Sequence, residues 1–281
     1  MNPQVEKQKV SIIVPTHNSA QTLSWCLQSV KNQTYDYCEV IVVDDLSSDE
    51  TIGIAENFEV KILQRKCNTA KARNLGVASS TGEYVLFLDS DQILSPSVIE
   101  ECVDKCVKEK AEMIRIPEVF IGKGFWSVCS AVWKNRYEKV EYLYGTRMNL
   151  IHGEPRFFVR TRIEDIGMFD TMLVWGEDYD LYERLKSMNI KEAYCTSVLY
   201  HREVVSLRQL SMKNLRYGKS VPVFLHQTNR QVFPSMLSHA LLTFTQILKE
   251  PQRPTVVAGC ALLLWIKSHS MIIGVLRGLW H

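Results

Sequence analysis

Tyr84-Val-Leu-Phe-Leu-Asp-Ser-Asp91 sets an apolar run against two carboxylates placed two positions apart. So short and β-rich a run reads as a buried strand, and the acids put a polar loop at its carboxyl end. The same punctuation recurs upstream. Val10-Ser-Ile-Ile-Val-Pro15 runs into Pro15-Thr-His-Asn18, and Glu39-Val-Ile-Val-Val-Asp44 runs into Asp44-Asp45. Residues 19–30 carry helical spacing at Leu23, Cys26, Leu27 and Val30, residues 60–63 make a further strand, and residues 69–78 a helix. Ser47, with Glu50 three residues later, predicts a capping box for the helix after the second strand. Strand and helix alternate at spacings that predict an α/β fold with a doubly wound, mostly parallel sheet. In such sheets ligands bind at the carboxyl ends of the strands, where three polar loops converge here.

Each motif alone has two readings. Asp89-Ser90-Asp91 is either an acidic strand end or a pair that shares a hard divalent cation with a diphosphate. Val43-Asp-Asp-Leu-Ser-Ser-Asp49 is either a loop with a helix cap or a source of a carboxylate that accepts the N3–H of uracil. Farther on, Trp126, Cys129, Trp133, Tyr137, Val140 and Tyr144 recur at three- and four-residue steps, as an amphipathic helix does. That stripe is either core packing or an acceptor-binding wall.

The order of the motifs is more specific than any one of them. Val14-Pro-Thr-His-Asn18, Val43-Asp-Asp-Leu-Ser-Ser-Asp49, Ala72-Arg-Asn-Leu-Gly76, the stretch from Gly82 to Asp91, and Gly176-Glu-Asp178 together resemble glycosyltransferase family 2 over about residues 9–201. The resemblance implies a GT-A fold and an inverting, metal-dependent transfer from a nucleotide-diphosphate sugar, with Mn²⁺ or Mg²⁺ as the ion. On the donor side it implies Pro15 and His17 in the first loop, Asp44 as the base-reading carboxylate with Asp45 beside it, and Arg73, Asp89 and Ser90. Asp91 is implied as the direct metal ligand, with Asp89 close to the metal and His201 completing the metal or diphosphate site. Trp175 and Glu177 are implied acceptor contacts and Asp178 the catalytic base, which takes the acceptor proton as its oxygen attacks C1. Two departures stand out. Leu46 occupies a place where many members have glycine, and no Gln-x-x-Arg-Trp follows Glu177-Asp178, so addition of a single sugar is expected.

Composition excludes disorder and a polytopic membrane protein, with 46% apolar and 23% charged residues. The net charge of +2 hides an asymmetry. Residues 1–200 hold 23 Lys/Arg against 29 Asp/Glu, whereas residues 201–281 hold 10 against 2. The expected organisation is therefore a catalytic domain over residues 1–205 and a basic, apolar, helical, membrane-associating region over 206–281, with an anionic partner. In residues 206–220, Arg208, Lys213, Arg216 and Lys219 are interleaved with Leu, Met and Tyr, which suits a membrane surface. Residues 236–248 read as an apolar helix. Residues 255–266 are an uncharged run that Lys267 and His269 interrupt before residues 271–276, so interfacial helices are preferred to a span.

The polar start, residues 1–9, predicts no secretory signal. Eight scattered cysteines, Cys102 and Cys106 read as half-buried helix thiols among them, predict a reduced, cytosolic setting. The expected partners are a UDP-sugar, a lipid-linked or glycan acceptor and the cytosolic membrane face, without nucleic acid. The alternative is a soluble transferase whose tail forms a homodimer.

Overall fold

Successive residues of a strand face opposite sides of its sheet, and β1 (Val10–Thr16) is apolar on both. Ile12 and Val14 enter one core and Ile13 the other. A strand buried on both faces needs helices above and below, and the computed structural model supplies them. It describes residues 7–148, 155–203, 205–228, 232–249 and 252–278. Residues 1–6 of the polar start, and the side chains of Tyr144 and Met236, lie outside the described residues.

The chain divides into two compact units. The first comprises Met1–Pro117, Glu154–Thr171 and Asp180–Tyr200. After β1 come α1 (Leu23–Lys31), β2 (Cys38–Asp44), α2 (Thr51–Ala55), β3 (Lys61–Gln64), α3 (Thr69–Ala78), β4 (Tyr84–Phe87), β5 (Gln92–Leu94), α4 (Val98–Glu109) and β6 (Met113–Arg115). The remaining elements are β7 (Glu118–Gly122), α5 (Phe125–Met148), β8 (Phe157–Val159), α6 (Arg160–Asp165), α7 (Glu177–Ser187), β9 (Glu192–Tyr194), β10 (Leu199–Glu203), α8 (Leu207–Thr228), α9 (Val232–Lys249) and α10 (Pro254–Gly278). Seven strands form one sheet in the order β3-β2-β1-β4-β8-β6-β9. Its first four are mutually parallel, and β8 runs antiparallel between β4 and β6. The register sets Thr16 beside Asp44, so the loops after β1 and β2 leave the sheet together. Helices α1 and α4 cover one face, with Leu23, Leu27, Ile99 and Cys102; α3 and the later part of α7 cover the other. Cys102 and Cys106 are buried rather than half-buried.

The second unit comprises Glu118–Gly153, Met172–Tyr179 and His201–His281. The expectation from sequence places a boundary at residue 205. Cys129 and Trp133 of α5 share a core with Ile247 of α9 and with Cys260 and Leu263 of α10. A helix whose apolar stripe is buried against the C-terminal helices belongs with them. The stripe is thus core packing, and Tyr137 stacks on buried His239 at 3.6 Å between ring centroids. The two apolar runs separated at Lys267 are one continuous helix, α10. By length and composition alone it is long enough to cross a membrane.

Glu101 joins α4 to the segment before β10. Its carboxylate accepts from the Thr196 and Ser197 amides at 2.7 and 2.8 Å and from the Thr196 hydroxyl at 3.0 Å. Burial acts to raise its pKa, but these donors and the Cys195 thiol outweigh it and hold it at about 2, against an ordinary 4.5. A depressed carboxyl stabilises the fold above the unfolded value and ceases to do so once both states are protonated. Glu101 should contribute about 3 kcal/mol at neutral pH, lost as the pH falls from about 4.5 through 2. Acid unfolding of Glu101→Gln should accordingly show a shallower pH dependence in that window.

Candidate functional site

The carboxyl ends of β1, β2 and β4 lie in the first unit, and their loops are tied to one another. Asn18 donates its amide to the Ser47 hydroxyl at 2.8 Å and accepts the Ser48 amide at 2.9 Å. The Ser19 amide donates to the Thr51 hydroxyl at 2.7 Å, and the Ala20 amide to Asp49 at 3.1 Å. The Ser90 and Ser19 hydroxyls are joined at 2.8 Å. Ser47 is therefore a bridge between loops and not a helix cap; α2 starts after Glu50 without a side-chain cap. Leu46, which replaces the commoner glycine, takes φ +49°, the left-handed conformation that glycine adopts without strain.

The adjacent acids Asp44 and Asp45 differ completely. Asp44 is 0% exposed, and its oxygens accept from the Thr16 hydroxyl at 2.9 Å and from the amide and hydroxyl of Ser47. It organises the loop from a fully enclosed position. Asp45 keeps 22% of its side chain exposed. It accepts from the Cys67 amide at 3.0 Å and pairs with Lys66 at 3.0 Å, and His17 Nδ1 lies 3.8 Å from it and 2.8 Å from its backbone oxygen. Burial acts to raise the Asp45 pKa; the Cys67 amide and Lys66 hold it below the ordinary value. Pro15 is the penultimate residue of β1 and lies opposite Val43 of β2.

Asp89 is held on both sides. Its Oδ1 is 3.2 Å from an Arg73 guanidinium nitrogen and its Oδ2 is 3.2 Å from one of Arg156. The two arginine side chains are 4% and 5% exposed. Arg73 rests over Phe87 and Phe169 at 5.9 and 5.2 Å, and so is not the exposed helix residue its sequence position allows. Arg156 has no counterpart among the residues singled out by sequence. It lies just before β8, which pairs with β4, so strand pairing delivers it to Asp89; the Phe87 amide donates to the Arg156 carbonyl at 2.9 Å. The Asp89 amide in turn donates to the buried Gln92 at 2.9 Å, which fixes the loop carrying half-buried Asp91.

Trp175, Glu177, Asp178 and His201 belong to the second unit. Gly176 takes φ +81°, and a Cβ there would lie 2.8 Å from the Phe224 ring. Only glycine makes this turn, which lays Trp175 edge-on to Phe224 at 5.1 Å and starts α7 at Glu177. Asp178 in the first turn accepts the Tyr179 amide at 2.8 Å. His201 stacks on Phe120 at 5.0 Å, with Nδ1 3.1 Å from Glu118, a carboxylate that orients the ring.

Among the described residues no three His, Cys, Asp or Glu side chains converge as a metal cluster. The donor set still suits a hard cation. Mg²⁺-like ions take one or two carboxylates together with substrate phosphate oxygens and water, and half-buried Asp91 at the strand end could supply such a carboxylate.

A model for "Glycosyl transferase family 2" matches residues 11–166. An uncharacterized glycosyltransferase of Rickettsia prowazekii is 30% identical over 190 residues, covering 65% of this chain and 60% of its own length. The chain thus spans less than two thirds of that relative. The mannosyltransferase PcManGT of Pyrobaculum calidifontis, in complex with GDP-Man and Mn²⁺, superposes with a TM-score of 0.62 at 18% identity, covering 98% of this chain and 88% of that one. Staphylococcus aureus TarS 1-349, in complex with UDP-GlcNAc, gives 0.59 at 18% identity, covering 96% and 83%. The mostly parallel seven-stranded sheet is that of GT-A glycosyltransferases. With the family model covering more than half its length, the chain belongs to glycosyl transferase family 2.

Proposed function

We propose that this chain is an inverting glycosyltransferase that moves a single sugar from a nucleotide-diphosphate sugar, a UDP-sugar by preference, to a hydroxyl of a membrane-linked glycan or lipid. The observation that carries the donor half is the convergence of the strand-end acids at one end of the sheet, where Asp44 is enclosed while Asp45, Asp89 and Asp91 each keep part of their surface open. Asp45 accepts the N3–H of uracil, with His17 and Pro15 beside the base. Asp91 and the diphosphate oxygens would hold Mn²⁺ or Mg²⁺, which offsets the negative charge that develops on the leaving group. The solved neighbours that carry nucleotide sugars, one with Mn²⁺, support this reading.

In the transfer, the acceptor oxygen attacks C1 from the face opposite the nucleotide. Asp178 takes its proton, the bond from C1 to the phosphate oxygen breaks, and the electron pair leaves with the nucleoside diphosphate. Glu177 and Trp175 orient the acceptor, and His201, held by Glu118, serves the diphosphate side. No covalent sugar–enzyme step is needed, so configuration inverts. The eight free cysteines support a reducing compartment and hence the cytosolic membrane face.

Asp91→Ala should fold as the parent does yet lose metal-dependent nucleotide binding. Calorimetric titration with UDP and Mn²⁺ reads this directly, and an unchanged affinity would remove Asp91 from the metal.

A further inference from the structure

Helix α10 is seated on its own unit at both ends by residues that leave no room for a side chain. A Cβ on Gly259 would lie 2.4 Å from Cys129 Sγ of α5. One on Gly274 would lie 2.3 Å from the Leu215 carbonyl oxygen of α8, and one on Gly278 2.7 Å from that of Lys219. Leu263 enters the core beside Cys129 and Trp133. Lys267 lies between these contacts, and burial, followed by the field of Lys134, pushes its pKa down to about 8. One face of the helix therefore belongs to the protein.

The other face does not. Ala258, Leu262, Trp265, His269, Ile272 and Leu276 are exposed, at alternating steps of four and three, in a stripe about 27 Å long. Trp265 is 56% exposed and Ile272 57%. On α8, Arg208, Lys213, Arg216 and Lys219 are all exposed, and α8, α9 and α10 contain no Asp or Glu. From residue 204 to 281 nine basic residues face a single acid, Glu250.

We propose that the outer face of α10, together with the basic face of α8, docks this chain on an anionic phospholipid surface, with α10 lying in the interface rather than crossing it. The inference deepens the membrane-linked acceptor reading and rests on it. Charge selects the occupant. A second copy would bring cations against cations, whereas anionic headgroups offer the complementary charge. A tryptophan set among aliphatic residues suits headgroup depth. Crossing the bilayer would take Gly259, Gly274 and Gly278 off their seats and put Lys267 into hydrocarbon.

The test is co-sedimentation of the full chain with phosphatidylcholine vesicles, with and without phosphatidylserine, at low and high salt. The parent should pellet only with phosphatidylserine and be released by salt. Trp265→Ser combined with Ile272→Ser should weaken partitioning by more than about tenfold. Its thermal melt should not change, since both side chains are exposed. Arg216→Gln and Lys219→Gln should each cost about fivefold. Full-strength binding by the Trp265/Ile272 variant would overturn the docking face while leaving membrane association intact. A parent that ignores both vesicles would instead overturn membrane association itself. A parent dimer in light scattering that the same variant dissolves, with no vesicle binding, would assign the stripe to a second copy and overturn the proposal.

Discussion

Asp89→Ala is expected to lower the stability of the first unit by about 3–5 kcal/mol, the usual penalty for removing one partner of a buried charge cluster. The substitution leaves the guanidiniums of Arg73 and Arg156, each almost without solvent, lacking the carboxylate that bonds both. Aromatic contact with Phe87 and Phe169 supports Arg73 only in part. At about 2–4 °C per kcal/mol for a unit of this size, the melting temperature should fall by roughly 10 °C. The fall should exceed that of Asp91→Ala, two residues along the same loop. Paired thermal melts decide the matter: equal melting temperatures for the two variants would mean that the arginines do not depend on Asp89. Arg156→Met should reproduce much of the Asp89→Ala loss, and in the double variant the two losses should not add.

Asp178→Asn should leave nucleotide binding intact and reduce turnover by roughly 10²–10⁴, the range for losing a positioned general base. Asparagine has nearly the same shape and can still accept the Tyr179 amide that Asp178 accepts at 2.8 Å, so the start of α7 should persist. It cannot take up a proton at neutral pH. The parent product should carry the anomeric configuration opposite to that of the donor, read from the anomeric proton and carbon couplings of the new glycoside by NMR. A retained configuration, or full turnover by Asp178→Asn, would remove Asp178 from the role of base.

How far the sequence could be read depended on the range of the interactions involved. The strands β1, β2 and β4 and the helix α3 were legible because their signals are local: apolar runs closed by proline or acids, and a helical period that starts after Asn68. The pair Asp44-Asp45 was legible as a site but not as two roles. Neighbouring residues at a strand end point in different directions, and only the register of Thr16 against Asp44 shows which of them is enclosed. Arg156 carries no motif, and it reaches Asp89 through an antiparallel pairing across 67 residues of chain. Ser47 fits a capping box perfectly well by spacing, yet its hydroxyl is engaged by Asp44 and Asn18. Lys267 interrupts the hydropathy of the last apolar run without interrupting the helix, because lysine is a good helix former. The unit boundary was hidden for a related reason: the aromatic stripe of α5 shows that a face is buried, but not against what.

The bonds among Asn18, Ser19, Ser47, Asp49, Thr51 and Ser90 have a consequence for the heat and entropy of ligand capture. Ordering a side chain on binding costs about 0.5–1.5 kcal/mol. Here the loops that follow β1, β2 and β4 are cross-tied before any ligand arrives, so that loss was met when the chain folded. Nucleotide capture by this half of the molecule should resemble a key entering a finished lock.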